Sequence, residues 1–356
     1  MTFTKTILEW YGNNSRDLPW RKTIDPYRIW ISEVIFQQTR IVQGLAYYSR
    51  FIERFPTISD LAKADEEVVL KTWQGLGYYS RARNLHAAAK DILENHHGIF
   101  PDSYEKLLKL KGVGEYTAAA IASIAFDQPY PVVDGNVLRF FSRYFGINTP
   151  IDTNKGKKQI YTKALSLIDK KQPGIFNQAI MEFGALHCKP VNPDCDRCPF
   201  NNKCLAFLEG NVGLLPVKSK PKKQKARYFN YLVILWENGK KEKFLYLRKR
   251  EEKDVWKNLY DFPMIEGTEE ISEEGLFSSQ EWMKIIGEDQ YMMILKSHQY
   301  KHILTHQLIF AVFYIIQLVG KRNPRLPFLL VPIGEIDKYP VPRLIEEFLN
   351  ENMVSF

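Results

Sequence analysis

Several things are scarce or missing in this sequence, and each absence removes a class of protein. Cysteine is rare, with four in 356 residues, too few for a scaffold built on disulfides. No long apolar run is present. A long stretch without Asp, Glu, Lys or Arg spans 303–320, and it holds Thr305, His306, Gln307 and Gln317 among Ile, Val, Phe and Tyr. A membrane-spanning helix wants about 20 mostly apolar residues, so this stretch reads as a buried β-strand. No secretory leader is expected, since residues 1–12 carry Lys5 and Glu9 and lack a long apolar core. Internal repeats and low-complexity tracts are missing too. These absences point to a soluble, cytoplasmic chain with no membrane association.

What is present describes an ordinary globular protein. Hydrophobic residues make up 45% and charged residues 25%, which excludes global disorder. At ~100–200 residues per domain, two domains are expected. Lys and Arg number 49 against 41 Asp and Glu, a net charge of +8. That balance leans toward a polyanionic partner.

The apolar pattern changes partway along the chain. Up to about residue 210 its period is helical. Helices are expected over Phe3–Tyr11, Pro26–Thr39, Val42–Phe55, Glu66–Gly75 and Ala82–Asn95. Further ones are expected over Ser103–Leu110, Glu115–Phe126, Asn136–Phe145, Lys157–Ile168 and Gly174–Cys188. Short connections such as Phe55-Pro56-Thr57 and Phe100-Pro101-Asp102 carry stop and start signals. A basic run follows, with Lys218, Lys220, Lys222, Lys223, Lys225 and Arg227 and no acid, which reads as a solvated linker. Strand patterns come next. Phe229–Trp236 and Lys243–Leu247 flank the hairpin signal Glu237-Asn238-Gly239, and Gln307–Leu318 is a long strand. Glu274–Ile286 and Val341–Asn352 look helical. The fold class is therefore multidomain, an all-α region followed by an α+β domain.

All four cysteines fall within 17 residues, spaced Cys188-x6-Cys195-x2-Cys198-x5-Cys204. Clustered thiols in an intracellular chain suggest metal before disulfide. A zinc site usually pairs two C-x2-C knuckles on separate arms. Only one such pair exists here, so the irregular loop suits a [4Fe–4S] cluster better, with zinc as the alternative. A second feature is Gly112-Val113-Gly114, set between two helical patterns. Glycines let a backbone approach a partner closely, and the second helix would offer free N–H groups to a phosphodiester. A tight turn that binds nothing has the same pattern.

Taken together, L-x-G-V-G-x-x-T-A, V-V-D-G-N-V (132–137) and the four-cysteine loop resemble the helix-hairpin-helix base-excision DNA glycosylases. Within these, S-E-V-I-F-Q-Q-T (32–39), L-P-W-R (18–21) and G-L-G-Y-Y-S-R-A-R-N-L (75–85) are similar to the MutY-type adenine DNA glycosylases. The likeness is close over about 8–210 and looser over 228–356. It implies a catalytic region over 1–214. Within that region a six-helix barrel with the hairpin would cover about 20–130, and an iron–sulfur module would combine 1–19 with 131–214. A basic linker over 215–227 and a Nudix-like domain over 228–356 would complete the chain. The implied cofactor is a [4Fe–4S] cluster held by Cys188, Cys195, Cys198 and Cys204. The implied partner of this monomer is duplex DNA carrying adenine opposite 8-oxoguanine or guanine, and the implied activity is removal of that adenine.

Breaking an N-glycosidic bond to adenine needs an acid for the leaving base and a negative group beside the developing oxocarbenium ion, the two-carboxylate logic of glycoside hydrolysis. The base must first leave the stack and enter a pocket. Glu33, among Trp30, Val34, Ile35 and Phe36, is the candidate acid, and by resemblance it protonates N7. Helical spacing alone also fits a glutamate on a solvated face with Gln37 and Arg40. Asp134 is the candidate stabiliser and also a candidate helix N-cap, roles that can coexist. Asn136 could orient it. Tyr116 stands where the related endonuclease III type has a nucleophilic lysine, so Schiff-base strand cleavage is not expected. By resemblance, Gln37, Gln38 and Tyr78 wedge into the base stack. Arg16, Trp20, Arg21 and Gln178 line an adenine pocket, with Trp20 an equal candidate for the core.

In the last domain, the family reads 8-oxoguanine through Phe-Ser-His, and the counterpart here is Leu304-Thr305-His306. Leucine reduces stacking area, while the hydroxyl and imidazole are kept. The other reading is that Thr305 and His306 begin a strand. Trp256 to Pro263 also resembles the Nudix-like domain. The R-E-x-x-E-E helix of a working Nudix hydrolase is missing from the sequence, so recognition is expected there and pyrophosphate hydrolysis is not.

Overall fold

The computed structural model describes residues 2–220, 224–252, 254–287, 289–319 and 327–352. Lys222 and Lys223 of the basic run, and Gly320, lie outside the described residues. In chain order the helices are α1 (Phe3–Asn14), α2 (Pro26–Ile35), α3 (Ile41–Arg54), α4 (Ile58–Lys63), α5 (Glu66–Trp73), α6 (Ser80–Asn95), α7 (Tyr104–Leu107) and α8 (Glu115–Phe126). Then follow α9 (Gly135–Tyr144), α10 (Asn154–Leu167), α11 (Pro173–Leu186) and α12 (Leu205–Leu208). The strands are β1 (Lys225–Glu237), β2 (Lys243–Lys249), β3 (Tyr260–Asp261), β4 (Met264–Gly267), β5 (Tyr291–Lys296), β6 (Tyr300–Ile303), β7 (Gln307–Leu318) and β8 (Leu329–Pro332). Helices α13 (Glu273–Phe277) and α14 (Gln280–Ile286) precede β5, and α15 (Arg343–Asn352) follows β8.

The chain forms two compact units. One holds residues 1–63 and 84–220, the other 64–83 and 221–356. Residues 64–83 thus group with the C-terminal strands and not with the helices around them. They are tied there by specific bonds: Tyr79 donates to the Val341 carbonyl at 3.0 Å, Lys249 pairs with Glu67 at 2.6 Å, and Asn258 bonds Glu66.

In the helical unit α8 is apolar on nearly every side, and Thr117 to Ser123 are all buried. An all-round apolar helix must lie inside, and α2 and α11 pack against it. A second layer joins α1, α9, α10 and α11 around Phe140, Phe141, Phe176, Phe183 and Phe200. Burying each such ring contributes about 1.5–3 kcal/mol. Gly184 lets α11 touch the start of α9, since a Cβ there would meet the Asn136 Cβ at 2.7 Å and its carbonyl oxygen at 2.8 Å. Buried Asn177 fixes the loop before α9. Its Oδ1 accepts from Val132 N at 3.0 Å, and its amide donates to Ser123 Oγ and the Tyr130 carbonyl, both at 2.8 Å.

The second unit is a sheet of order β3-β2-β1-β7-β5, with β4 on β1, β6 on β7 and β8 on β2. β1 and β7 run parallel, with Lys225 opposite Gln307 and Leu235 opposite Gln317, and the other pairings are antiparallel. Helix α15 closes one face, where Phe348 stacks on Phe313 at 3.9 Å. The expected linker ends sooner than its charge suggested, because Lys225 already pairs in β1. The single helix expected over 274–286 is two, since the Ser279 hydroxyl accepts from Trp282 N and starts a new helix.

Candidate active site

A cavity of about 500 Å³ opens where α2, α8, α9 and α11 meet. That is within the size range of small-ligand sites. Glu33 on α2, Tyr116 on the first turn of α8, and Asp134 and Asn136 at the start of α9 all line it. So do Arg16, Trp20, Arg21 and Gln178. Helical spacing alone had left Glu33 on a solvated face, but its carboxyl is turned into this cavity. Trp20 belongs to the core, being 9% exposed with its ring 4.4 Å from that of Phe36, and it also lines the cavity.

The two carboxyl groups have different surroundings. Burial pushes Glu33 up to about 7, and the charge of Asp134 adds to this. A hydrogen bond from the Tyr116 hydroxyl to Oε2 and the charge of Arg21 oppose it. Burial holds Tyr116 well above its ordinary value, so it is a neutral donor. Asp134 is the N-cap of α9. Its Oδ1 accepts from Val137 N at 2.8 Å, and its Oδ2 accepts from the Asn136 amide at 2.7 Å. Burial raises Asp134 too, and it outweighs these two donors and the Arg139 charge, which act against it. One carboxyl is thus poised to hold a proton near neutrality. The other is raised by burial as well, yet it alone accepts a backbone N–H and a side-chain amide, donors that favour its anion.

Glu33 also weighs on stability. The native chain keeps its proton up to about pH 7, whereas an unfolded chain releases it at about 4.3. The native state therefore binds more protons between these values, and stability falls as pH rises through them. Melting curves of wild type and Glu33→Gln are expected to diverge from pH 5 to pH 8, with the glutamine variant the more stable at pH 8. An equal gap at both pH values would contradict this placement.

Several site residues escaped sequence reasoning. Glu182 is fully buried beside the cavity and is held by two arginines, at 2.5 Å from Arg16 Nη2 and 2.7 Å from Arg21 Nη2. Burial alone would raise its carboxyl, but the bonds from Arg16 and Arg21 hold it at about 2. Its position four residues after Gln178 on the same helix was the available signal. Glu182→Ala leaves two guanidinium groups beside an empty carboxylate site. It is expected to cost about 3 kcal/mol or more, read as a fall in the urea midpoint. Tyr11 donates to Gln178 Oε1 at 2.8 Å, leaving the Gln178 amide –NH2 for an occupant. Arg21 Nε is buried without a partner among the described residues. Arg139 donates from Nη2 to Asn136 Oδ1 at 3.0 Å and from Nε to the Cys188 carbonyl at 2.8 Å. It thereby links the Asp134 cap to the cysteine loop.

The hairpin has the backbone its glycines suggested. Gly112 has φ +79°, and a Cβ there would lie 2.5 Å from the Asn84 Cβ. Val113 is buried, while Gly114 caps α8 with open space where a Cβ would stand. Gln38 lies just past α2 with φ +59°, and in the other unit Tyr78 has φ +49°. Left-handed backbone at non-glycine residues is uncommon and often marks a functional position. Gln37 instead turns inward and donates to Thr117 Oγ1 at 3.3 Å. In the second unit Leu304 N donates to the Gln307 carbonyl at 2.9 Å, making 304–307 the turn joining β6 and β7. Thr305 and His306 are its exposed tip, not the start of a strand, which begins at Gln307.

Cys188, Cys195, Cys198 and Cys204 line one hollow beside Phe140, Phe183 and Phe200. Among the described residues no group of three or more His, Cys, Asp or Glu side chains is placed to hold a metal ion. Backbone N–H groups of Phe200 and Phe207 face the sulfurs of Cys198 and Cys204, and Arg143 Nη1 lies 3.6 Å from Cys188 Sγ. Such donors suit thiolates. No helix among the described residues is long and apolar enough to cross a membrane.

Comparison with known proteins agrees with this architecture. Residues 31–170 match the HhH-GPD superfamily of base excision DNA repair proteins, and residues 231–351 match the NUDIX domain. The chain is 32% identical over 350 residues to the adenine DNA glycosylase of Buchnera aphidicola subsp. Acyrthosiphon pisum, covering 97% of each protein. It is 42% identical over 226 residues to the adenine DNA glycosylase of Rattus norvegicus, covering 60% of this chain and 44% of that one. Among solved structures, a thermostable thymine-DNA glycosylase superposes with a TM-score of 0.54 at 30% identity, covering 58% of this chain and 95% of the other. A helix-hairpin-helix core with two carboxyl groups on one cavity, followed by a Nudix-like domain and matched along nearly its whole length, makes this chain a member of the adenine DNA glycosylase family.

Proposed function

We propose that this protein removes adenine mispaired with 8-oxoguanine or guanine from duplex DNA, acting as a monomer in the cytoplasm. The single observation that carries the reading is that Glu33 and Asp134 line one cavity in different settings: Glu33 is a buried acid raised to about 7, and Asp134 is an N-cap carboxylate that accepts two hydrogen bonds. An adenosine rotated out of the duplex enters the cavity. The Gln178 –NH2 faces a ring-nitrogen acceptor on the purine, and Trp20 supplies a flat wall. Tyr116 occupies Glu33 Oε2, so the proton sits on Oε1 and passes to adenine N7 as the glycosidic bond lengthens. Positive charge then grows on the sugar beside the Asp134 carboxylate, which the α9 N–H groups and Asn136 hold in place. Glu33, now ionised, takes a proton from the attacking water. With a phenol at Tyr116 and no amine, the sugar is released as an intact abasic site and the strand is not cut.

The Leu304-Thr305-His306 turn is the proposed reader of 8-oxoguanine, and Gly112, Val113, Gly114, Gln37, Gln38 and Tyr78 are the proposed DNA contacts. The four cysteines would hold a [4Fe–4S] cluster, which supplies a covalent brace and a one-electron couple when bound. Purified protein is expected to be brown, with absorbance at about 400 nm that Cys198→Ser abolishes. A colourless protein containing zinc would contradict the assignment.

The deciding experiment offers the protein three duplexes, with A opposite 8-oxoguanine, A opposite G, and T opposite G. Free adenine from the first two, with strand breaks only after alkali, is expected. Thymine release, or binding without base release, would overturn the reading.

A further inference from the structure

A second groove, of about 700 Å³, lies in the helical unit and shares one wall with the catalytic cavity: Tyr116 lines both. Its head is the first turn of α8, through Glu115 and Tyr116, just past the glycine hairpin. Its far wall is the first two turns of α10, through Asn154, Lys157, Lys158 and Tyr161. Two helix N-termini therefore border it, capped by Gly114 and Thr153. Both lysines are exposed, and neither has an ion pair among the described residues. Tyr104 and Tyr161 add hydroxyl donors, and Glu115 is the one carboxylate on the wall. Paired cations, phenols and the positive ends of two helices fit a phosphodiester chain. Neighbouring segments extend the charge. Lys155 lies on the same turn of α10, and Lys218 and Lys220 flank Ser219, whose N–H donates to Asp152 Oδ1 at 2.9 Å.

A nucleotide in the catalytic cavity stays joined to its strand, so backbone must leave the cavity along some surface. We propose that this groove carries the phosphodiester backbone flanking the rotated adenosine, gripped by Lys157 and Lys158. The inference rests on reading the neighbouring cavity as a base-flipping site. It extends the phosphate track from the hairpin onto α10 and makes that helix part of the DNA interface.

The test reads binding alone, so its failure differs from failure to release adenine. The probe is a duplex with an uncleavable tetrahydrofuran abasic analogue opposite 8-oxoguanine. Its Kd for the full-length protein is measured by fluorescence anisotropy between 50 and 300 mM KCl. For K157A/K158A, Kd is expected to rise about tenfold at 100 mM KCl, and the slope of log Kd against log salt to fall by roughly 2. K157R/K158R restores both. K170A/K171A, which removes two exposed lysines beyond the other end of α10, keeps the wild-type slope. An unchanged slope in K157A/K158A, an equal loss in K170A/K171A, or no rescue by arginine would each overturn the proposal.

Discussion

Glu33→Gln is expected to bind a duplex with adenine opposite 8-oxoguanine almost as tightly as wild type, while single-turnover release of adenine falls by about 10²–10⁴-fold. Glutamine keeps the shape of the side chain and accepts the same bond from Tyr116. What it lacks is the proton that burial holds on the acid up to about pH 7. Binding and proton transfer are separate tasks, so only the second is lost. Anisotropy titration beside rapid-quench kinetics checks both halves. Near-normal release would remove Glu33 from the chemistry, and a large loss of binding would assign it to docking.

The second large effect is at Asp134, where two roles can be separated. As N-cap of α9 the side chain needs only an oxygen for Val137 N, and asparagine caps nearly as well as aspartate. As stabiliser of a cationic sugar it needs a negative charge. Asp134→Asn is therefore expected to melt within a few degrees of wild type and to lose roughly 10²–10³-fold in single-turnover rate. Asp134→Ala loses cap and charge together, with a further ~1 kcal/mol of stability. Should the asparagine variant stay active, the carboxylate is only a cap.

Much of the architecture could be read from local pattern. The helix Glu115–Phe126 and the strand Gln307–Leu318 begin and end where their periodicity changes, because caps and turns act over a few residues. The helix expected to reach Thr39 stops at Ile35, since Gln38 takes a left-handed backbone that no local signal announces. The short helix Ile58–Lys63 was hidden for lack of a full amphipathic repeat. At the site, Glu33, Asp134 and Tyr116 were recognisable by motif, but their convergence on one cavity depends on α2, α8 and α9 packing at long range. Glu182 and Arg139 were missed for the same reason. A buried acid between two arginines looks in sequence like any surface charge, and only the fold brings Arg16 and Arg21 to residue 182.

The most direct measurement is the pH dependence of single-turnover adenine release, with enzyme in excess over the A·8-oxoguanine duplex from pH 5 to 9. A proton held by Glu33 with a value of about 7 should give a rate that falls tenfold per pH unit above that point. The residual rate of Glu33→Gln should lack this limb. A rate that stays flat to pH 9, or a limb that survives in the glutamine variant, would mean that another group delivers the proton.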